Sequence, residues 1–470
     1  MKVILNDESF FYEAQQIAML FFPENDDVLL ECDIKCDGKN FSCSAEISAF
    51  GKKGKAQEKG TFSLRRDKAD IIKKSVYFAC KKISDTNLPW GILTGIRPAK
   101  PIRQMIDEGK KTDDIRTFLK ENYYVSEEKI NLAIKIAETE NKFISKDKNA
   151  VSVYVGIPFC PTRCSYCSFI SQDAGKMIKL SADYIELLLR EMEKTAEILN
   201  KLGFYARSIY FGGGTPTALC EAELEKVLMG AKKNLYSDKC LEFTVEAGRP
   251  DTVNSEKLQI IKESGAGRIS INPQTIHDKT LETIGRKHTF DEFEKAFYLA
   301  RGMGFDNINC DLIAGLPGED VSDFEKSVDK IFSMSPENIT VHTLYLKRAS
   351  NLKKEGFSAE GHSEIAEMVN FAQQKLSANG FNPYYLYKQK ATLGNLENVG
   401  FSKDGFECIY NIDTMSDEST VFALGGGAVT KIVMGDRIER VFNFKNADEY
   451  IKRFDEIIDR KMSIINFFGE

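Results

Sequence analysis

The stretch Val151-Ser-Val-Tyr-Val-Gly-Ile-Pro-Phe-Cys-Pro-Thr-Arg-Cys-Ser-Tyr-Cys167 joins a strand-like run to three closely spaced cysteines. Its first five residues are mostly β-branched or aromatic, which suits an extended, pleated backbone. Cys160, Cys164 and Cys167 then follow with the spacing C-x3-C-x2-C. Three thiolates can hold three corners of a four-iron cube and leave one iron without a protein ligand. A closed structural centre would use every corner, so the open one reads as a place to bind and transform a small molecule. Two plainer readings stay open here. A zinc ion wants a fourth Cys or His; none other lies between Lys148 and Arg207, although such a ligand can be distant in sequence. Three unrelated buried thiols are the other reading.

Outward from the cysteines, strand candidates alternate with helical spacers up to residue 347. The strands are Val151–Ile157, Ser208–Phe211, Leu241–Glu246, Arg268–Asn272, Asn307–Ile313 and Ile339–Leu346. Amphipathic helices such as Ala182–Leu202 and Glu221–Asn234 lie between them. Such units predict an α/β fold with parallel packing, in an open sheet or a partial barrel. Folds of this build place chemistry at the C-terminal strand ends. Those ends carry the cysteine loop, Gly212-Gly-Gly-Thr215, Glu246, Gln274, Asp311 and Tyr345.

On the N-terminal side, residues 1–148 predict an α+β domain. Val28–Cys36 and Asn40–Ile47 alternate apolar and polar residues across the hairpin signal Asp37-Gly38. Helices are expected at Lys68–Lys82, Pro98–Asp107, Thr112–Glu121 and Ser126–Lys142. Leu93-Thr-Gly-Ile-Arg-Pro-Ala-Lys100 reads as a helix-start loop, and Ser145–Ala150 as a linker to the core at 149–347. Residues 348–470 combine a helix at Ser363–Leu376, the aromatic run Phe381–Tyr387, short strands and two Gly-dense segments, an α+β extension.

The 470 residues are 42% hydrophobic, enough for a large core. A net charge of −6 argues against a general nucleic-acid binder. Eleven irregularly spaced cysteines and a start that turns polar early point to a reducing cytoplasm. No uncharged apolar run approaches the ~20 residues needed to span a bilayer, so no membrane insertion is expected.

Taken singly, the strand-end residues are ambiguous. Glycines at 212–214 let a backbone approach a ligand and offer it N–H groups, but no Gly-Lys-Ser/Thr follows, so this is not a P-loop. Glu246 suits a ribose hydroxyl or an ammonium, although taken alone it reads first as a solvated surface acid. Arg286 and Asp311 fit a site or an ordinary exposed ion pair. Tyr166 packs against the cysteine loop or fills core space. The four histidines show no H-x3-H spacing and receive no metal; His342, near the active face, reads first as a satisfied structural histidine and otherwise as a proton donor or acceptor.

Together these residues resemble the radical S-adenosylmethionine (SAM) enzymes, and within them the HemZ-like branch of the oxygen-independent coproporphyrinogen III oxidase group. The motifs are Tyr154-Val-Gly-Ile-Pro-Phe-Cys160 with its two later cysteines, Phe211-Gly-Gly-Gly-Thr-Pro-Thr217, Glu246, Gln274 and Asp311-Leu-Ile-Ala-Gly-Leu-Pro317. Thr94-Gly-Ile-Arg-Pro98, Tyr387-Lys-Gln-Lys390 and Gly394-Asn-Leu-Glu-Asn-Val399 carry the branch. The resemblance implies a partial (β/α)6 radical SAM barrel and a C-terminal domain on the substrate side. It implies Cys160, Cys164 and Cys167 as ligands of a [4Fe–4S] cluster. Tyr154, Gly213, Glu246, Tyr345 and Val429 match a first SAM site. Tyr166, Gly214, Thr215, Gln274, Arg286 and Asp311 match a second, with Tyr166, Gln274, Arg286 and Asp311 nearest the chemistry.

The implied reaction removes CO2 from propionates of coproporphyrinogen III through a 5′-deoxyadenosyl radical, with a tetrapyrrole substrate and an electron donor as partners. Two positions depart from the group: Gly156 replaces a histidine and Tyr345 an alanine. The same branch includes heme-trafficking proteins, for which His362 or Cys408 would be candidate ligands, and other SAM-dependent tetrapyrrole-modifying enzymes.

Overall fold

Alternation along the central strands decides how their sheet can sit. Ser152, Tyr154 and Gly156 share one face with Ser208, Tyr210 and Gly212, and with Glu242, Thr244 and Glu246. The opposite face carries Val151, Val153, Val155, Ile209, Phe211, Phe243 and Val245. A doubly wound open sheet buries both faces under helices and reads as nearly continuous apolar runs. Polar residues at every second position instead call for helices on one face and a lumen on the other.

A computed structural model describes residues 1–23, 27–167, 174–345, 362–388, 396–435 and 437–468, without the side chains of 174–178, 362 and 363. The chain forms two compact units, 1–134 with a short stretch beginning at Lys388, and most of the remainder.

In the first unit, β1 (Lys2–Leu5), β2 (Leu29–Asp37), β3 (Asn40–Ala49) and β4 (Lys52–Thr61) form a sheet in that order. β1 runs parallel to β2, and two hairpins make the rest antiparallel. The first hairpin turns at Gly38, whose φ of +57° suits glycine. Helices α1 (Phe11–Phe21) and α2 (Arg65–Lys81) pack on each other, and α2 covers the buried alternate residues Phe41, Cys43, Ala45 and Ile47. α3 (Ala99–Asp107), α4 (Thr112–Tyr123) and α5 (Glu127–Phe143) follow. Two branch motifs meet in this unit. Lys388 donates from its backbone N–H to Ile96 O at 2.8 Å and from its ammonium to Leu93 O at 3.2 Å, with the ammonium 5.2 Å from the centre of the buried Trp90 ring.

The second unit begins with β5 (Ala150–Ile157), α6 (Ala174–Leu202), β6 (Tyr205–Gly213), α7 (Glu221–Asn234), β7 (Glu242–Glu246) and α8 (Ser255–Glu263). Next come β8 (Arg268–Ser270), α9 (Asp278–Thr283), α10 (Phe290–Gly302), β9 (Ile308–Ala314), α11 (Val321–Ser333) and β10 (Asn338–Thr343). β5 to β10 are parallel neighbours in chain order. Residues from 348 onward build no separate sheet among the described residues. After α12 (His362–Ala378), β11 (Asn382–Lys388) and β12 (Glu397–Ser402) extend the β10 edge. After α13 (Ile409–Ser416), β13 (Val421–Leu424), β14 (Val429–Met434) and β15 (Arg437–Phe442) extend the β5 edge.

On the helix-facing side Val155, Ile157, Phe211, Val245, Ile269 and Leu312 are fully buried, each contributing roughly 1.5–3 kcal/mol from apolar burial. The polar side meets α13, which packs against β5 and β6 and seals one end of the lumen. Its Asp413, fully buried, accepts from Ser152 Oγ at 2.6 Å and Ser419 Oγ at 2.9 Å, 3.5 Å from Arg207 Nε. Glu242 accepts from the N–H groups of Ile409 and Tyr410 at 2.6 and 3.4 Å, satisfying donors at the start of α13. Among the described residues, no helix is long and apolar enough to cross a membrane.

Candidate active site

Past Ile157, at the opposite end from α13, the β5 chain enters the cysteine loop. Gly214 N–H donates to Ile157 O and Thr215 N–H to Phe159 O, both at 2.8 Å. The Gly214 and Thr215 amides are thus spent on the neighbouring loop, and Gly214 serves close approach instead. A Cβ on Gly214 would lie 2.5 Å from Phe159 O and 3.0 Å from Cys160 Sγ, while Gly213 has φ +108°. Ser165 N–H donates to Ile284 O at 2.9 Å, and Thr162 Oγ1 to Gly285 O at 3.3 Å, tying the loop's far side to the end of α9.

Two of the three sulfurs receive polar hydrogens. Thr215 Oγ1 donates to Cys160 Sγ at 3.6 Å, and Arg249 Nη1 to Cys164 Sγ at 3.9 Å. Arg249 escaped the sequence reading, although it stands three residues beyond Glu246 in a strand-end loop. Only 3% exposed, its guanidinium makes a bidentate pair with Asp251 at 2.9 and 2.8 Å and reaches Thr162 Oγ1 at 3.0 Å.

The departure at Gly156 has a structural cause. Tyr184 OH donates to Gly156 O at 2.7 Å and accepts from Gly426 N–H at 2.7 Å. That pins the Gly425-Gly426 turn against β5, where a Cβ on Gly425 would lie 2.4 Å from Gly156 O. A Cβ at Gly156 itself would already stand 3.3 Å from Leu424 O and from the Tyr154 ring, leaving a histidine little room.

Inside the lumen Tyr154, Tyr210 and Tyr410 stack, with ring centres 4.4–6.4 Å apart and planes within 23°. The Tyr154 hydroxyl lies 3.3 Å from where a Gly213 Cβ would be. Tyr210 OH donates to Glu246 Oε1 at 2.6 Å. Burial and the Asp311 charge push the Glu246 carboxyl up to about 7, against the lowering effect of Tyr210, Arg268 and His342. The tyrosine stack is legible only once the register pairs Tyr154 with Tyr210.

On the far strands Gln274 occupies the left-handed region at φ +69°, a conformation costing about 1–3 kcal/mol in a non-glycine residue. Its backbone is clamped on both sides: its N–H donates to Asp311 O at 2.9 Å and its carbonyl accepts from Ile313 N–H at 3.0 Å. Asp311 Oδ1 accepts from Asn309 Nδ2 at 2.8 Å, and Oδ2 lies 3.6 Å from His342 Nε2. Burial would raise the Asp311 carboxyl, but His342 and Asn309 outweigh it and hold the group below its ordinary value. His342 Nδ1 sits 3.4 Å from Tyr387 OH, so the histidine links a carboxylate to a phenol.

Arg286 Nη1 donates to Asn272 O at 2.8 Å and Gly248 O at 3.2 Å, and its guanidinium charge lies close enough to act on the Tyr166 hydroxyl. Burial pushes the Tyr166 hydroxyl up, against the lowering effect of Arg286. The structure therefore couples Tyr154 with Gly213, Glu246 with Tyr210, Tyr166 with Arg286, and Gln274 with Asp311. Tyr345, half-buried, follows β10 at the same end. Val429 opens β14 and is 37% exposed. His362 opens α12, its side chain outside the described residues.

Among the described residues, no three His, Cys, Asp or Glu side chains are grouped closely enough to hold a single metal ion. A cube takes each thiolate on a separate iron. Three thiols on one loop, two already facing N–H or O–H donors, fit such a cluster, whose sulfurs take hydrogen bonds.

Residues 154–331 match the radical SAM superfamily. Across 98% of this chain and 96% of the relative, 35% of residues are identical to the oxygen-independent coproporphyrinogen-III oxidase-like protein HemZ of Bacillus subtilis. The chain belongs to this HemZ-like branch of the radical SAM coproporphyrinogen oxidase group. Membership in the family implies a [4Fe–4S] cluster and SAM. The heme chaperone HemW of Bacillus subtilis is 34% identical over 59% of this chain and 70% of its own length. The solved coproporphyrinogen III oxidase HemN of Escherichia coli shares the fold, with a TM-score of 0.53 at 19% identity over 68% of this chain and 72% of that one.

Proposed function

We propose that the chain is a radical SAM coproporphyrinogen dehydrogenase that converts two propionates of coproporphyrinogen III to vinyl groups, giving protoporphyrinogen IX. Each propionate loses a β-hydrogen, CO2 and an electron. Cluster and SAM together supply the one-electron chemistry that makes a hydrogen-abstracting 5′-deoxyadenosyl radical; the protein's residues bind, orient and exclude water.

The observation that carries this reading is the convergence, at one end of one lumen, of two separately built groups. One is the cysteine loop with Tyr154, Gly213 and Glu246. The other is Tyr166–Arg286 with Gln274–Asp311, beside Gly214 and Thr215. In this proposal Cys160, Cys164 and Cys167 hold the cluster. Tyr154, Gly213, Glu246, Tyr345 and Val429 take one SAM; Tyr166, Gly214, Thr215, Gln274, Arg286 and Asp311 take a second. Asp311, kept anionic by His342 and Asn309, suits a ribose hydroxyl or an ammonium.

Anaerobic incubation of reconstituted protein with coproporphyrinogen III, SAM and dithionite tests the reaction by mass spectrometry. Loss of two CO2 with formation of vinyl groups is expected. SAM cleavage without a vinyl product would remove the proposal, and a methylated or ring-opened product would replace it with another tetrapyrrole modification. Heme capture with a Soret shift and no SAM cleavage would replace it with trafficking. Cys408 is poorly placed to serve such a carrier, because it is fully buried and its thiol donates to Glu242 at 3.3 Å.

A further inference from the structure

Buried Arg249 pairs with Asp251, whose carboxylate stays partly open to solvent, against the cysteine loop, and none of the roles above uses the pair. Arg249 is 3% exposed, and each of its three nitrogens donates a hydrogen bond. Nε and Nη2 take the two oxygens of Asp251, while Nη1 reaches Thr162 and the Cys164 sulfur. An exposed surface pair would contribute little, but here the cation is desolvated and the sulfur is its neighbour. Arg286 adds a second buried guanidinium charge close enough to act on Cys164. His288 lies beside both arginines, 2% exposed and kept neutral. Among the described residues, the acid in this group is Asp251.

We infer that Arg249 is a positioning residue that sets the reduction potential of the cluster through Cys164, with Asp251 moderating its charge. The inference rests on the cysteines as cluster ligands, and not on the tetrapyrrole. Three thiolates make the centre anionic, and reduction adds another negative charge. A buried cation that also donates to a ligand sulfur stabilises the reduced form and raises the potential. Asp251 fixes the fork and offsets part of its field. The pair therefore makes opposite contributions, which a merely structural clamp would not.

Redox titration of the reconstituted full-length protein, followed by electron paramagnetic resonance without SAM or tetrapyrrole, reads this directly. Arg249→Gln should shift the midpoint to more negative potential and Asp251→Asn to less negative potential, at wild-type iron and sulfide content. Arg249→Lys, which keeps the charge without the fork, should fall between Arg249→Gln and wild type. A loaded Asp251→Asn protein with the wild-type midpoint, or two variants moving in the same direction, would overturn the inference. If Arg249→Gln loads no cluster, Asp251→Asn and Arg249→Lys decide by the same criteria. A wild-type chain that loads no cluster would overturn the ligand assignment as well, whereas a loaded cluster with unmoved midpoints leaves that assignment and the proposed reaction standing.

Discussion

The two ends of the barrel lumen hold similar residue types with different partners. At the end closed by α13, Asp413 and Glu242 are buried and spent: hydroxyls, backbone N–H groups and Arg207 surround them. At the cysteine end Glu246 has one short bond, to Tyr210, and its carboxyl rises to about 7. Asp311 is held below its ordinary value by His342 on the neighbouring strand and Asn309 on its own. Saturated carboxylates fix a structure, while carboxylates with remaining capacity can take a ligand. The lesson is that a buried charge marks chemistry by the partners it lacks, not by its burial alone.

The sharpest break of this contrast is at the loop. Cys164→Ala should abolish the brown cluster chromophore and all SAM cleavage while leaving the fold in place; a variant with a full cluster would remove Cys164 from the ligand set. At the closed end, Asp413→Ala leaves Arg207 buried without its acid and should cost about 3–5 kcal/mol in denaturant unfolding. Its folded fraction should load a cluster normally; a loss of SAM binding without loss of stability would erase the distinction between the ends.

Asp311→Ala should keep the cluster and lower turnover roughly ten- to a hundredfold, the loss of a hydrogen bond to a charged group. Wild-type turnover would take Asp311 out of the site. Glu246 gives a gentler effect, visible as pH dependence. Its raised carboxyl is neutral below about 7 and anionic above, so SAM binding should tighten as pH rises through that value. The folded chain also holds this proton longer than the unfolded chain does, so the group's contribution to stability falls as pH rises from the ordinary carboxylate range through about 7. Glu246→Gln should flatten the binding profile in calorimetric titrations; an unchanged profile would assign the dependence elsewhere.

Much of the cysteine end was legible because its signals are local. A spaced cysteine triplet, a Gly-rich strand end and single acids after β-rich runs need no knowledge of distant contacts. The alternation Ser152-Val-Tyr-Val-Gly156 further separates a lumen from an open sheet once all the strands are compared. Other features depend on pairing across the chain. β4 went unread because Lys52–Thr61 is rich in lysine and poor in β-branched residues; those lysines suit an edge strand that must not pair further. The joining of β11–β15 to the central sheet follows from long-range register, which no local pattern carries. Arg249 looked like one surface charge among many until Asp251 and Cys164 closed around it.

The most direct test of the cysteine end as a SAM-binding cluster site is electron–nuclear double resonance on the reduced, reconstituted protein with SAM carrying a 15N-labelled amino group. Coupling of that nitrogen to the cluster, lost in Glu246→Ala or weakened there while Asp413→Asn retains it, is the expected result. A reduced cluster that shows no nitrogen coupling at saturating SAM would contradict the open corner and the functional reading built on it.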